Sequence, residues 1–143
     1  MMNAFSLSRF DQMPLVGAVM TPFPRFVQAE ASIASVQALM ERFDLHHIPV
    51  QKGGELIGVI SERELAQQGK AKRAADLDLA LPYVVGIGAK LSDVVREMAK
   101  RRVDSVLIVR HEKLAGILSA TDACRLLAEA LEICFGGDGE DVA

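Results

Sequence analysis

The 143-residue sequence predicts one α/β domain made of two β-α-β-β-α repeats packed about a pseudo-twofold axis. Two observations carry this reading. The same order of residue classes runs twice, from about residue 23 to residue 126, at an offset of 58 positions without a gap. Pro24 pairs with Pro82, Val27 with Val85, Val36 with Val94, Met40 with Met98, Leu56 with Leu114, Gly58 with Gly116 and Ser61 with Ser119. Each copy also contains an apolar strand, a tight turn, a returning strand and a polar step into a helix, clearest at residues 103–127. A unit of about three strands has too little core to stand alone, and its sheet needs cover on both faces. Packing the two copies sheet against sheet meets both needs.

Taken in order, residues 1–14 form an arm with scattered apolar groups (Phe5, Leu7, Phe10, Met13), and residues 15–68 form the first repeat. Leu15 to Met20 suit a short helical turn before the breaker Thr21-Pro22-Phe23-Pro24. Phe26-Val27 is extended. From Ser32, the residues Ile33, Val36, Leu39, Met40 and Phe43 fall on one helical face. His47 to Gln51 and Leu56 to Ile60 read as a hairpin closed by Lys52-Gly53-Gly54-Glu55. Ser61 opens a helix that fades into a basic linker at 69–73. The second repeat, 74–135, has Val84-Val85 extended and a helix with Leu91, Val94, Val95 and Met98 inward. Its hairpin and last helix follow, the helix carrying Leu126, Leu127, Ala130, Leu131 and Phe135. Residues 136–143 are an acidic tail that begins at Gly136-Gly137.

Composition excludes several function classes. The chain is 50% hydrophobic but only 5% aromatic, with no Trp, so its core is aliphatic; Met13, Met20, Met40 and Met98 are expected in or near it. A net charge of −3 gives no field for nucleic acid. No apolar run reaches membrane-spanning length, and the N-terminus lacks the apolar stretch of a secretory signal. Cys124 and Cys134 lie ten apart on one helix, about 280° around it, and cannot bridge there. A reduced, cytoplasmic protein is expected. No Cys/His nucleophile pair, Gly-rich phosphate loop or metal cluster is evident, which argues against an enzyme. His46 and His47 are adjacent on a strand, point to opposite faces and make a poor chelate, so no metal is expected. Val94, Met98, Leu127 and Leu131 are candidates for an apolar helix face, and a homodimer through it is expected.

Two helix starts carry the candidate chemistry. Ser119 followed three residues later by Asp122 is a capping box, and Ser61 with Glu64 is a stronger one, Glu being preferred at that position. A carboxylate at a helix start also suits a ribose diol, since it accepts from two hydroxyls, while free N–H groups and the helix dipole favour phosphate. Arg63 stands where the second copy has Thr121 and suits either a phosphate or a solvated helix face. The run Lys100-Arg101-Arg102 ends a helix, where the dipole favours cations without any ligand; a phosphate partner at the cleft mouth is the alternative.

The His47-Ile48-Pro49-Val50 strand, the Gly-Ile-Leu-Ser strand end at 116–119 and the acidic residue beyond it resemble the cystathionine-β-synthase (CBS) domain. Two copies in tandem resemble the paired Bateman module from about Val16 to Leu131. The resemblance implies a non-catalytic regulatory or sensor module, free-standing because no catalytic domain is attached. It would bind an adenosine-containing ligand (AMP, ADP, ATP or S-adenosylmethionine) between the repeats and signal to a partner protein. The implied site comprises Asp122, Thr121, Ser119 and Ile117 from the second repeat, facing Val27, His46, His47 and Ile48 of the first. A second site would use Ser61, Arg63 and Glu64 with Asp104, Ser105 and Val106. Glu64 and Arg63 depart from the usual pattern there. The alternative is a ligand-free dimerisation scaffold in which Ser119 and Asp122 only cap.

Overall fold

Both hairpins turn on two residues in the left-handed region. Gly53 and Gly54 have φ of 58° and 84°, which glycine adopts freely; the equivalent turn uses His111 and Glu112 at 51° and 66°. A computed structural model describes residues 12–136; the expectations for the N-terminal arm up to residue 11 and for the acidic tail from residue 137 lie outside the described residues. The elements are β1 (Thr21–Pro22), β2 (Val27–Gln28), α1 (Ile33–Phe43), β3 (His47–Lys52), β4 (Glu55–Ser61) and α2 (Glu62–Ala66) in the first half. β5 (Val84–Gly86), α3 (Leu91–Arg101), β6 (Ser105–Arg110), β7 (Lys113–Ser119) and α4 (Ala120–Phe135) follow.

The strands form two sheets, ordered β2-β3-β4 and β1-β7-β6-β5. In each, a short strand runs parallel to the first arm of an antiparallel hairpin, and a β-bulge falls at the same point: beside Val50/Gln51 and beside Ile108/Val109. Strand alternation then divides the side chains. Ile48 and Val50 join Ile33, Val36 and Met40 of α1 in one core; Val106 and Ile108 join Leu91, Val94 and Met98 of α3 in the other. Pro49 and Leu107, on the opposite sheet faces, are also fully buried although they belong to neither helix-side core. The two sheets therefore face one another, as the repeat predicts.

The opening segments of the two repeats are exchanged. Val16 and Val19 lie in the second repeat's core, and Ala74 and Leu77, 58 positions later, lie in the first repeat's core. The backbone bonds match as well. Val16 N–H donates to Ala89 O at 2.7 Å and Ala74 N–H to Ala31 O at 2.8 Å; Gly17 donates to Ile87 O and Ala75 to Ala29 O. Pairing of β1 with β7 continues the first exchange into the sheet. Sequence periodicity cannot show this, because a short apolar segment such as Val16-Gly17-Ala18-Val19 does not reveal which sheet it will cover.

Gly58 and Gly116 make room for the exchanged segments. A Cβ on Gly58 would sit 2.7 Å from the Cβ of Leu79, and one on Gly116 would meet the Met20 side chain. Gly58→Ala is expected to cost about 1–3 kcal/mol by overpacking, and Gly116→Ala less, because a Met side chain can move aside. Urea denaturation midpoints of the two variants would check the order.

Some apolar residues sit elsewhere than expected. Val94 and Met98 are buried beneath α3 and not on an exposed helix face, because the exchanged Val16 and Val19 pack on them. Met13, expected in or near the core, is 51% exposed; Phe135, on the last helix as expected, is 81% exposed at the end of α4. Leu127 and Leu131 are exposed as anticipated. Among the described residues, no helix is long and apolar enough to cross a membrane.

Candidate functional site

Two clefts lie between the sheets at pseudo-equivalent places. The larger, about 530 Å³, is lined by Thr21, Asp44, Leu45, His46, His47, Ile117, Ser119, Thr121, Asp122 and Arg125. Its floor is built by the start of α4. Ser119 is the N-cap: its hydroxyl accepts from Asp122 N–H at 3.0 Å, and Asp122 Oδ2 accepts from Ser119 N–H at 3.0 Å. This reciprocal cap holds the Asp122 carboxylate in one orientation, with its side chain 14% exposed. Its other oxygen, Oδ1, accepts from Arg125 Nη1 at 3.0 Å. Across the cleft, His46 stands 3.7 Å from Glu62 and 3.9 Å from Asp44.

The smaller cleft, about 240 Å³, is lined by His47, Val59, Ser61, Arg63, Glu64, Ala80, Leu81, Arg101, Arg102, Val103, Asp104 and Ser105. Ser61 caps α2, and Glu64 accepts from Ser61 N–H at 2.8 Å. Arg63 Nη2 donates to Asp104 Oδ2 at 2.7 Å, an ion pair from the first repeat to the second. It stands at the position of Thr121 in the larger cleft, and it narrows the smaller one.

His47 lines both clefts. Burial lowers its pKa from the usual 6.5, outweighing the opposing pull of Asp104, Glu64 and Asp122; His46 adds to the lowering. As pH falls below 6.5 the unfolded chain takes up a proton that the folded chain resists, so this residue makes stability rise with pH across that window. Taking wild type from about pH 7 to pH 5 should therefore lower its melting temperature more than that of His47→Asn. Equal losses in the two proteins would place the acid sensitivity elsewhere.

The protein-family model for the CBS domain matches the chain twice, at residues 16–69 and 80–129. The chain belongs to the CBS domain family. Among curated proteins, it is 29% identical over 110 residues to a zinc metalloprotease, MJ0392, of Methanocaldococcus jannaschii. That match covers 77% of this chain but 31% of the relative, so the chain spans about a third of the relative's length. Among solved structures, the CBS domain pair of protein MJ0100, in complex with 5′-methylthioadenosine and S-adenosyl-L-methionine, superposes with a TM-score of 0.75. Identity there is 18%, over 83% of this chain and 99% of that one. CBSX2 in complex with AMP superposes with a TM-score of 0.70 at 22% identity, over 81% and 97% of the two chains. These likenesses show the fold of a CBS pair.

Within this CBS pair, the larger cleft gathers Asp122, Thr121, Ser119, Ile117, His46 and His47 from the residues that the sequence singles out. Val27 and Ile48 lie outside it. Both pack with the α1-side core, because strand alternation that turns His47 to the cleft must turn Ile48 away. The smaller cleft gathers Ser61, Arg63, Glu64, Asp104 and Ser105, while Val106 is buried beneath α3 for the same reason. Thr21, Asp44 and Arg125 are additions. The signal for Arg125 is its place three residues after Asp122, one helical turn on. No group of three or more residues able to hold a metal ion occurs among the described residues.

Proposed function

We propose that this CBS pair is a non-catalytic regulatory module that binds an adenosine-containing ligand in the cleft beside Asp122 and reports occupancy to a partner protein. The carrying observation is the Asp122 carboxylate, fixed by its cap at the N-terminus of α4 and turned into a cleft of about 530 Å³. It suits the two hydroxyls of a ribose, displacing Arg125 from Oδ1, and the freed guanidinium then stands beside the helix N-terminus to meet a phosphate. Ile117 offers an apolar wall for a base. The relatives in complex with AMP and with S-adenosyl-L-methionine support the ligand class, here AMP, ADP, ATP or S-adenosylmethionine. The exposed free thiols Cys124 and Cys134 fit a reducing, cytoplasmic setting.

The second reading, a ligand-free dimerisation scaffold, is favoured by a different feature. Both Asp122 oxygens already have partners, and α3 and α4 present an apolar groove lined by Leu91, Val95, Leu127 and Ala130. A homodimer through this face fits either reading; light scattering showing only the 15.5 kDa species at micromolar concentration would exclude it. A thermal-shift screen against AMP, ADP, ATP and S-adenosylmethionine separates the readings. Stabilisation by at least one of them supports the regulatory module, and no shift with any favours the scaffold.

A further inference from the structure

We infer that the smaller cleft is a polyphosphate site, so that the two clefts of this pair sort their ligands by charge. The inference extends the proposed function, on which only its contrast with the Asp122 cleft rests. Pseudo-symmetry supplies the argument, because the clefts are built from equivalent positions and differ in what those positions carry. Phe43 and Asp44 end α1 beside the Asp122 cleft; their counterparts ending α3 are Arg101 and Arg102. Thr121 has Arg63 as its counterpart. The smaller cleft is therefore lined by three guanidiniums against the two carboxylates of Glu64 and Asp104. The larger is lined by one guanidinium against Asp44 and Asp122, with Glu62 close to its His46.

The guanidiniums are arranged to receive an anion. Arg101 is held by Glu97 at 2.8 Å and stacked over the Tyr83 ring at 4.3 Å, which fixes it while leaving other N–H donors free. The counterpart of that stack is Arg25 over Phe43, with the cation and the ring exchanged; Arg42, in the last turn of α1, also lies over Phe43 and is not among the lining of the larger cleft, whereas Arg101 lines the smaller one. Arg102 makes no ion pair among the described residues. Arg63 is held across the cleft by Asp104 and is released when a stronger anion competes for it. A phosphate chain is narrow and multiply charged, and it suits a cleft of about 240 Å³ better than a nucleoside does. The chain could be inorganic or the tail of a nucleoside triphosphate; their shared chemistry is what the arginines read.

Calorimetric titration with inorganic tripolyphosphate, ATP and AMP tests this on the whole chain. Tripolyphosphate is expected to bind wild type, tenfold or more weakly to Arg101→Gln/Arg102→Gln, and with unchanged affinity to Asp122→Asn. Asp104→Asn frees Arg63 and should tighten tripolyphosphate several-fold, a direction that damage to the fold cannot imitate. ATP binding that is tighter than tripolyphosphate and lost with the arginines assigns the site to the nucleotide; equal affinities assign it to the chain alone. Absent tripolyphosphate binding, or affinity that ignores Arg101, Arg102 and Asp104, overturns the inference. Failure of AMP to bind, with arginine-dependent tripolyphosphate binding intact, would count against the function proposed for the Asp122 cleft and leave this site standing.

Discussion

Asp122→Asn is expected to weaken binding of the best adenosine ligand about tenfold or more while leaving the fold nearly as stable as wild type. The two effects separate because the carboxylate has two tasks. Its Oδ2 accepts from the Ser119 N–H, and an asparagine carbonyl in the same place can still accept that bond, so the loss of capping should cost about 0.5–1 kcal/mol. The negative charge that favours Arg125 and a ribose diol disappears, and a lost charge-assisted hydrogen bond is worth roughly 1.5–3 kcal/mol. Glu64→Gln, at the equivalent cap of the other cleft, should change that affinity much less. Titration calorimetry on both variants, with denaturation curves alongside, checks the separation. Equal affinity in wild type and Asp122→Asn would remove this residue from ligand binding and favour the scaffold.

Val19→Asp should abolish or nearly abolish folding. Val19 is fully buried among Leu91, Val94 and Leu118, and an unpaired charge there costs several kcal/mol, against a total of about 5–15 kcal/mol for a typical domain. The milder Val19→Ala locates the damage. Hydrogen exchange should show protection lost first in β6 and β7, the sheet that Val19 covers, although the residue belongs to the first repeat in the chain. Leu77→Ala should do the reverse and loosen β3 and β4. Val19→Ala loosening β3 and β4 first would refute the exchanged packing.

The fold was largely legible because its signals are local and doubled. Gly53-Gly54 marks one hairpin, Ser61 and Ser119 mark helix starts, and the repeat confirms the weaker second turn at His111-Glu112, which sequence alone would not favour. The caps were legible in detail, as the Ser119–Asp122 geometry shows. What stayed hidden depends on which surfaces meet. Nothing in Val16 or Val19 shows that they bury Val94 and Met98. For Arg101 and Arg102 the sequence leaves the dipole of their own helix and a phosphate partner as alternatives, and only the facing of the two sheets brings them to Arg63. The family resemblance sets Ile48 and Val106 at the clefts beside His47 and Ser105, yet period-two alternation sends each to its helix side.

The exchange of segments also imposes a timetable on synthesis. A ribosome that has released the whole of β3, β4 and α2 still holds back Ala74 and Leu77, without which the first core is open. The earliest of the described residues wait longest, since Val16 and Val19 have no permanent neighbours until Leu91, Ile108 and Leu118 emerge. Contacts so distant along the chain close late and slowly. Nascent chains of this protein are therefore expected to carry Val16 and Val19 uncovered until Leu118 emerges, a window in which two polysome neighbours could trade these segments and emerge as an intertwined pair.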